Sequence, residues 1–356
     1  MPRLRRADCS AVGYTRRRCG RGFAYYDEAG ARLTDPETLD RIAALVIPPA
    51  WKDVWICPWP NGHLQAVGTD VAGRRQYLYH PAWRERRDRE KFDHMLEFAR
   101  CLPRLRAACA STLAAGEGLD RERVLACAVR LLDLGFFRIG TEGYADQNQS
   151  YGLATIRKDH VRALGGQALE FDYVAKSGQR RIQTVVDPAV FEVVTALKRR
   201  RGGGDCLLAY RNGSDPGHPR PRGKWHDVRS EEINAYIQEL TGEGFTAKDF
   251  RTWSATVLAA VALAVSTGAR TATARRRAVA RAMKEVASYL GNTPTVCRSS
   301  YVDPRIVDHY LACATISAAL DGLAEEGAAG LSFQGKVEEA VLDLLTDGAQ
   351  AARRAA

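Results

Sequence analysis

The apolar and polar positions of this chain change period near residue 80, which predicts two regions of different architecture. Three short apolar runs come first, at Val54–Cys57, Leu64–Thr69 and Gln76–Tyr79, and a Pro-Asn-Gly turn and an Ala-Gly turn separate them. Short runs punctuated by turn residues are typical of antiparallel strands. Residues 1–24 are rich in arginine and show no period, so they are predicted to form a partly ordered arm.

From Pro81 onward the spacing is mostly helical. Pro81 to about Ala114 and Leu119–Phe137 each place apolar residues on one side and charged residues on the other. Helical spacing returns in four later segments, Ser230–Leu240, Thr252–Val265, Arg275–Leu290 and Val302–Glu326. Between the two groups lie three strand-like runs, Tyr151–Ile156, Ala168–Val174 and Arg181–Val186. A small sheet within a mainly helical region is therefore expected.

These patterns predict an α+β protein with two domains. Residues 1–80 are expected to form a small N-terminal antiparallel β-rich domain. Residues 81–356 are expected to form a mainly helical domain that carries a small β-sheet. A length of 356 residues is sufficient for two hydrophobic cores.

The net charge changes this picture, because it points to an acidic partner. The chain has 52 Lys and Arg against 42 Asp and Glu, a formal net charge of +10. Basic proteins of this kind often bind nucleic acid or anionic membranes, although many do neither.

Several other classes are disfavoured by composition. The nine cysteines form no CxxC pair, which favours reduced thiols and argues against zinc. The basic N-terminus has no apolar segment of the kind found in signal peptides, and the longest apolar run, around Ala255–Val265, is too short to span a bilayer. The sequence also contains no GxxxxGK[ST] loop and no obvious acidic cluster for two Mg²⁺ ions. We therefore expect a cytoplasmic protein without metal, cofactor or membrane partner.

Four residues of the second region are candidates for catalytic chemistry. Arg138 ends a helix in FFRIG, Lys176 lies at the tip of a predicted hairpin in YVAKSG, Arg251 opens a helix in KDFRTWSATV, and Tyr301 closes LGNTPTVCRSSY. Each has an ordinary structural alternative. Arg138 could satisfy helix carbonyls, and Lys176 could be a solvated loop residue. Arg251 could pair with Asp249 or with a phosphate without any catalytic role. Their order along the chain is more informative than any one of them.

With these motifs in this order the chain resembles the type IB DNA topoisomerases, in particular their small bacterial and poxvirus-like branch. The resemblance covers about residues 10–310. The matching segments are IPPAWKDVWICPWPNGHLQAVG (47–68), GTDVAGRRQYLYHPAW (68–83), FFRIGTEGYADQNQSYGLATI (136–156), DYVAKSG (172–178), KDFRTWSATV (248–257) and LGNTPTVCRSSYVDP (290–304).

The resemblance implies a fold, a reaction and a set of roles. The second region would have the catalytic fold shared by tyrosine recombinases and type IB topoisomerases. Members of the family relax supercoiled duplex DNA through a transient 3′-phosphotyrosyl bond, without ATP or a required metal. It implies that Tyr301 is the nucleophile, Arg138 and Arg251 bind the phosphate, and Lys176 is the general acid. Asn292 stands where much of the family has a histidine, so a neutral amide is expected to donate to the phosphate there.

The resemblance also implies DNA contacts outside the catalytic centre. Gln76, Tyr77 and Tyr79 match a stretch that approaches the major groove, and Tyr144 and Lys248 match positions near bases or phosphates. Two arginines, Arg74 and Arg75, are weaker candidates for phosphate contacts. The expected partner is duplex DNA, clamped by a monomer associated with a bacterial nucleoid.

Two alternatives stay open at this point. A tyrosine recombinase shares the order of arginine, lysine, arginine and tyrosine, but it usually has a histidine shortly before the second arginine, where this chain has Lys248-Asp249-Phe250. A basic DNA-binding protein without catalytic activity would explain the charge but not the ordered set of residues.

Overall fold

The structure is a computed structural model, and it describes most of the chain. The described residues are 3–116, 118–143, 149–211, 223–242, 244–266, 268–269, 271–325 and 334–355. The chain divides into two compact units, Met1–Asp93 and His94–Ala356. The division falls inside a long helix, α2 (Pro81–Ala115).

The N-terminal unit is built on one five-stranded antiparallel sheet. Its strands are β1 (Tyr14–Cys19), β2 (Gly22–Tyr26), β3 (Lys52–Ile56), β4 (Leu64–Thr69) and β5 (Arg75–Tyr79), in the order β2-β1-β3-β4-β5. A short helix, α1 (Pro36–Ala44), contributes Ile42 to a core with Val54, Ile56 and Ala66 on one face of the sheet. The predicted antiparallel meander is confirmed.

The first hairpin corrects the expectation of a partly ordered arm over residues 1–24. Residues 14–26 form β1 and β2, paired from Thr15 with Tyr26 to Cys19 with Gly22. Arg16 is a structural residue, because its guanidinium donates to the carbonyls of Ile47 at 3.1 Å and Pro48 at 2.9 Å. The arginine-rich composition gave no sign of a strand, although Arg16 lies over the ring of Phe23 and Arg17 over that of Tyr26.

The second unit is mainly helical, as expected. Its helices are the rest of α2, then α3 (Arg121–Gly135), α4 (Pro188–Arg199), α5 (Ser230–Thr241), α6 (Ala247–Ala264), α7 (Ala272–Leu290), α8 (Pro294–Ser300), α9 (Pro304–Leu311), α10 (Ser317–Glu325) and α11 (Lys336–Ala355). Most residues of α3 and α6 are buried, so these two helices lie in the core. Phe250 packs edge-on against Phe98 of α2 at a ring distance of 4.8 Å.

The described residues of this unit also form two small sheets. The first has the order β6 (Val161–Ala163), β7 (Ala168–Ala175), β8 (Gln179–Val186), and the second pairs β9 (Ala209–Arg211) with β10 (Trp225–Asp227). The predicted hairpin is confirmed, since β7 pairs with β8 from Ala168–Val186 to Ala175–Gln179.

The strand predicted at Tyr151–Ile156 is wrong. Leu153–Thr155 form a single 3-10 turn. Leu153 N–H donates to Arg138 O at 2.8 Å, and Ala154 N–H donates to Ile139 O at 2.7 Å. These two donors therefore bond the segment that follows α3 and not a neighbouring strand. The approach needs glycines, because a Cβ at Gly152 would lie 2.5 Å from the Gly140 backbone.

The C-terminal part also differs from the single helix predicted over Val302–Glu326. It breaks after α9, where Cys313 has φ +66°, and α10 follows. Helix α11 then docks through Glu338, whose carboxylate accepts from Arg106 Nη2 at 2.9 Å and from Trp253 Nε1 at 2.8 Å. No helix in the described part of the chain combines the length and apolar character needed to cross a bilayer.

The contact between Gly140 and Gly152 predicts a stability difference between two glycine sites. A methyl group at Gly152 would meet backbone atoms at 2.5–2.7 Å, whereas Gly165 has nothing within 4 Å of its added Cβ. We expect Gly152→Ala to lower the free energy of unfolding by about 1–3 kcal/mol. Gly165→Ala is the matched control and should change it by less than about 0.5 kcal/mol. Urea denaturation of both variants measures the difference, and equal midpoints would contradict this account.

Candidate active site

The site is organised around the C-terminal end of α7, whose last carbonyls accept hydrogen bonds from arginines. A helix leaves its last four carbonyls without partners inside the helix. Here Gly291 ends the helix at φ +61°, and its N–H donates back to Ala287 and Ser288. Arg251 Nη2 donates to Leu290 O at 2.8 Å, and Arg138 Nη2 donates to Gly291 O at 2.8 Å. The two sequence-predicted arginines therefore meet at one turn.

Arg138 reaches this turn from the end of α3. Phe136 ends α3 in the left-handed conformation, at φ +53°, and the chain reverses there. Arg138 Nη2 also donates to Asn292 Oδ1 at 2.6 Å. The structural alternative for Arg138 is thus partly correct, because it does satisfy helix carbonyls, although those of α7 and not of its own helix.

Arg251 lies on α6 and is only 4% exposed. Its Nη1 donates to Phe136 O, so it joins the ends of α3 and α7. Burial lowers the pKa of Arg251 to about 10, the charge of Arg138 acts in the same direction, and Tyr301 opposes the shift. At neutral pH it stays protonated. Asp249 is not its partner, since Asp249 accepts from Thr246 N–H at 2.8 Å in the N-terminal cap of α6.

Two buried donors in this group find no acceptor among the residues that the structure describes. They are Asn292 Nδ2 and Arg251 Nε. Because Asn292 Oδ1 faces Arg138, the amide orientation is fixed and Nδ2 is the free branch. Leaving a buried donor unsatisfied costs about 1–3 kcal/mol. Such groups are expected where a ligand supplies the acceptor.

Tyr301 follows α8, and its backbone is hydrogen-bonded to Cys297 and to Thr256. Its N–H donates to Cys297 O at 3.0 Å. The hydroxyl of Thr256, one turn and a little more after Arg251 on α6, lies 3.3 Å from Tyr301 O. Arg251 Cζ lies 5.4 Å from the centroid of the Tyr301 ring. The sequence-predicted nucleophile is thus adjacent to a sequence-predicted phosphate ligand.

Lys176 lies in a turn between β7 and β8, where Ser177 and Gly178 have φ values of +68° and +71°. The side chain is exposed. It lines a cleft of about 240 Å³ together with Arg138, Ile139, Gly140, Thr141, Ser150 and Tyr151. The hairpin is tied to this cleft, since Tyr151 N–H donates to Val174 O at 2.8 Å and the Ser150 hydroxyl to Ala175 O at 3.3 Å. Lys176 and Arg138 therefore share one cleft.

Sequence reasoning missed the residues that support these groups. Arg181 on β8 donates from Nη1 to Ser288 O at 2.8 Å. Asp303, fully buried, accepts from Arg305 Nη2 at 2.7 Å, and its N–H donates to the Thr256 hydroxyl at 3.2 Å. No local pattern marks Arg181, because its acceptors lie more than a hundred positions along the chain. The Asp-Pro after Tyr301 was a visible signal of a helix cap.

The sequence-predicted DNA contacts of the N-terminal unit lie on β5. Tyr77 and Tyr79 are 45% and 40% exposed, and their rings stack at 6.2 Å. Arg75 is exposed on the same face, whereas Gln76 lies on the opposite face, and its amide donates to Asp70 at 2.9 Å. Arg74 forms an ion pair with Asp70 at 2.9 Å.

The remaining two DNA-contact candidates belong to the second unit. Lys248 is exposed in the first turn of α6. Tyr144 lies outside the described residues.

The arrangement has the features of a site for one phosphodiester. Guanidinium and amide donors converge beside a tyrosine, and a lysine lies in the adjoining cleft. Guanidinium groups match phosphate oxygens in geometry and charge. Among the described residues there is no group of three or more His, Cys, Asp or Glu side chains that could hold a metal ion.

Two family models match this chain. The family model for the catalytic core of eukaryotic DNA topoisomerase I matches residues 80–316. The model for the N-terminal domain of bacterial DNA topoisomerase IB matches residues 22–70. Together they cover parts of both structural units.

Individual relatives give the same result. The chain is 33% identical over 293 residues to DNA topoisomerase 1B of Acanthamoeba polyphaga mimivirus, covering 82% of this chain and 85% of that protein. It is 26% identical over 170 residues to DNA topoisomerase 1 of Daucus carota, covering 48% of this chain and 19% of that protein. The match to DNA topoisomerase 1 of Mycosarcoma maydis is 24% identical and covers 58% of this chain and 20% of the relative. The chain belongs to the type IB DNA topoisomerase family.

Proposed function

We propose that this protein relaxes supercoiled duplex DNA, with Tyr301 as the nucleophile that forms a 3′-phosphotyrosyl intermediate. The observation that carries this proposal is a pair of buried donors beside Tyr301, Asn292 Nδ2 and Arg251 Nε, for which the described part of the chain supplies no acceptor. A scissile phosphate would supply acceptors for both. Family membership supports DNA as the substrate.

The proposed mechanism begins with attack of the Tyr301 hydroxyl oxygen on the phosphorus, as the hydroxyl proton passes to water; the new O–P bond forms as the bond to the 5′-oxygen breaks. Negative charge grows on the non-bridging oxygens in the transition state, and fixed donors at those oxygens stabilise it. Arg138, Arg251 and Asn292 would be these donors. Arg251 and Asn292 are held by hydrogen bonds independent of DNA, so little reorganisation is needed when the charge develops.

Lys176 would donate a proton to the 5′-oxygen as the P–O bond breaks. The leaving 5′-hydroxyl end can then rotate about the intact strand, which releases superhelical strain. Religation reverses the chemistry, with the 5′-hydroxyl attacking the phosphotyrosyl bond and Lys176 taking back the proton. The bond energy stays in the phosphotyrosyl ester, so the proposed cycle consumes no ATP and uses no metal.

Contacts beyond the scissile phosphate would come from both units. We propose residues 1–80 as a DNA-binding domain and residues 81–356 as the catalytic domain. The exposed pair Tyr77 and Tyr79 suits stacking or phosphate contacts, whereas Gln76 would first have to leave Asp70. One chain carries every proposed catalytic group, which supports action as a monomer that clamps DNA. We propose the bacterial nucleoid, in the cytoplasm, as the place of action.

Substitution of the nucleophile gives the most direct test. Tyr301→Phe is expected to abolish relaxation of supercoiled plasmid in EDTA without ATP, and to abolish the covalent adduct trapped by detergent, because the attacking oxygen is absent. Tyr289→Phe is the matched control, since Tyr289 is a half-exposed tyrosine at the end of α7, and it should keep both activities. Relaxation by the Tyr301→Phe protein, or a requirement for Mg²⁺, would contradict the proposal. A recombinase would instead need paired target sites.

Lys176→Ala is expected to slow cleavage by about 10²–10⁴-fold, the contribution typical of a positioned proton donor. A duplex with a sulfur in place of the 5′-bridging oxygen should restore most of the rate, because a thiolate leaves without protonation. Single-turnover adduct formation measures both. Lys284→Ala, an exposed lysine on α7, is the control and should change neither rate. Equal losses on both substrates would mean that Lys176 does not donate the proton.

Asn292→Ala is expected to slow cleavage by about 10–10³-fold, because one neutral donor to the phosphate is lost. Asn292→Asp should be slower still, since a carboxylate cannot donate and repels the phosphate. Asn292→His should be active, with a rate that falls as the pH rises through about 6.5 and the imidazole loses its charge. Wild-type protein should show a flatter profile over that range. An unchanged rate in Asn292→Ala would remove Asn292 from the site.

A further inference from the structure

Arg181 connects the strand that follows the Lys176 turn to the end of α7. Its Nη1 donates to Ser288 O at 2.8 Å, and its Nη2 donates to Tyr289 O. Both acceptors belong to the last turn of the helix, where carbonyls lack intrahelical partners. These bonds therefore join the β7–β8 hairpin to the helix whose end carries Asn292.

The contact is close as well as polar. A Cβ at Gly291 would lie 3.2 Å from Arg181 Cδ and from Arg181 Nη1, so the side chain packs directly against this turn. Burial lowers the pKa of the Arg181 guanidinium, and the charge of Arg138 acts in the same direction. Placing a third cation near two others is costly unless the carbonyls hold it there.

We propose that Arg181 is a positioning residue that holds the β7–β8 hairpin, and with it Lys176, against the phosphate-binding turn at Gly291 and Asn292. This proposal rests on the proposed function, in which Lys176 donates a proton to the 5′-oxygen of the scissile phosphate. Lys176 is exposed at the hairpin tip, so its place relative to the phosphate depends on how the hairpin is held. On one side Ser150 and Tyr151 bond the end of β7. On the other side Arg181 fixes β8 to α7.

The neighbouring residue provides a matched control. Arg180 lies on the opposite face of β8 and is exposed, and its guanidinium donates to Asp172 at 2.8 and 2.6 Å within the same sheet. It has the same charge and side-chain length as Arg181 but bonds within its own hairpin. A variant at Arg180 therefore removes a guanidinium from β8 without releasing the hairpin from α7.

The experiment compares Arg181→Met with Arg180→Met in single-turnover adduct formation. Methionine keeps an unbranched side chain but cannot donate. With an oxygen leaving group we expect Arg181→Met to be about 10–100-fold slower than wild type, because displacement of a reacting group by about 1 Å costs rates of this order. With the sulfur leaving group it should be within about threefold of wild type. Arg180→Met should match wild type on both substrates, and Arg181→Lys should recover part of the oxygen-substrate rate.

Equal losses on the two leaving groups would overturn the proposal, since they would show that Arg181 acts on the phosphate ligands or on the fold. A wild-type rate in Arg181→Met would overturn it too. Tm measurements check that both methionine variants fold. If Arg181→Met does not fold, Arg181→Lys takes its place, with a smaller loss that the sulfur substrate should also reverse.

A double-mutant cycle separates failure of this proposal from failure of the proposed function. If Arg181 acts through Lys176, the losses from Arg181→Met and Lys176→Ala on the oxygen substrate should be strongly non-additive. Additive losses would overturn the role of Arg181 whatever Lys176 does. If sulfur fails to rescue Lys176→Ala, the proton-donor role falls, and a non-additive cycle would still support coupling between the two residues.

Discussion

The site depends on the hydrogen bonds that three guanidinium groups make to the last carbonyls of α7. Arg181 donates to the carbonyls of Ser288 and Tyr289. Arg251 donates to the carbonyl of Leu290, and Arg138 donates to that of Gly291. The arginines come from a hairpin, a core helix and the segment after α3, so one helix end gathers three separate parts of the fold. The physical reason is electrostatic. Carbonyls at a helix C-terminus carry partial negative charge, which offsets the repulsion among cations that would otherwise separate.

This arrangement leaves some hydrogen-bond donors without acceptors, and these donors matter for the chemistry. The three guanidinium groups together have more N–H donors than the helix end has carbonyls. Among the described residues, Arg251 Nε and Asn292 Nδ2 find no acceptor. Filling such a site with a hydrophobic side chain would stabilise the fold but remove its affinity for an anion. The helix end thus fixes positively charged groups at short range, and the unused donors provide the capacity to bind a phosphate.

The sequence predicted the two architectures and the β7–β8 hairpin, and it singled out Arg138, Arg251 and Tyr301, which the structure brings together. These features leave local signals: a period, turn residues or a motif. The sequence could not predict Arg181, since its partners lie more than a hundred positions away and β8 looks like any other strand. The same limit explains the strand wrongly expected at Tyr151–Ile156. The apolar residues of this segment are buried, but the backbone N–H groups of Leu153 and Ala154 donate to the carbonyls of Arg138 and Ile139, which no periodicity reveals. Where the sequence pattern is ambiguous, contacts between distant segments determine the local structure.

The supports of the proposed catalytic groups differ in kind. Helix α6 carries Arg251, and one of its later residues, Thr256, contacts the backbone of Tyr301 and of Asp303. Tyr301 and Arg251, the proposed nucleophile and the proposed phosphate ligand, are therefore both held by the same buried helix, and core packing sets their separation. Lys176 has no such support, because it lies at an exposed turn held by contacts of its neighbours. In the proposed mechanism, small shifts of that hairpin would change proton donation by Lys176 without moving Tyr301. The departure and return of the 5′-oxygen would then be the step most sensitive to local motion.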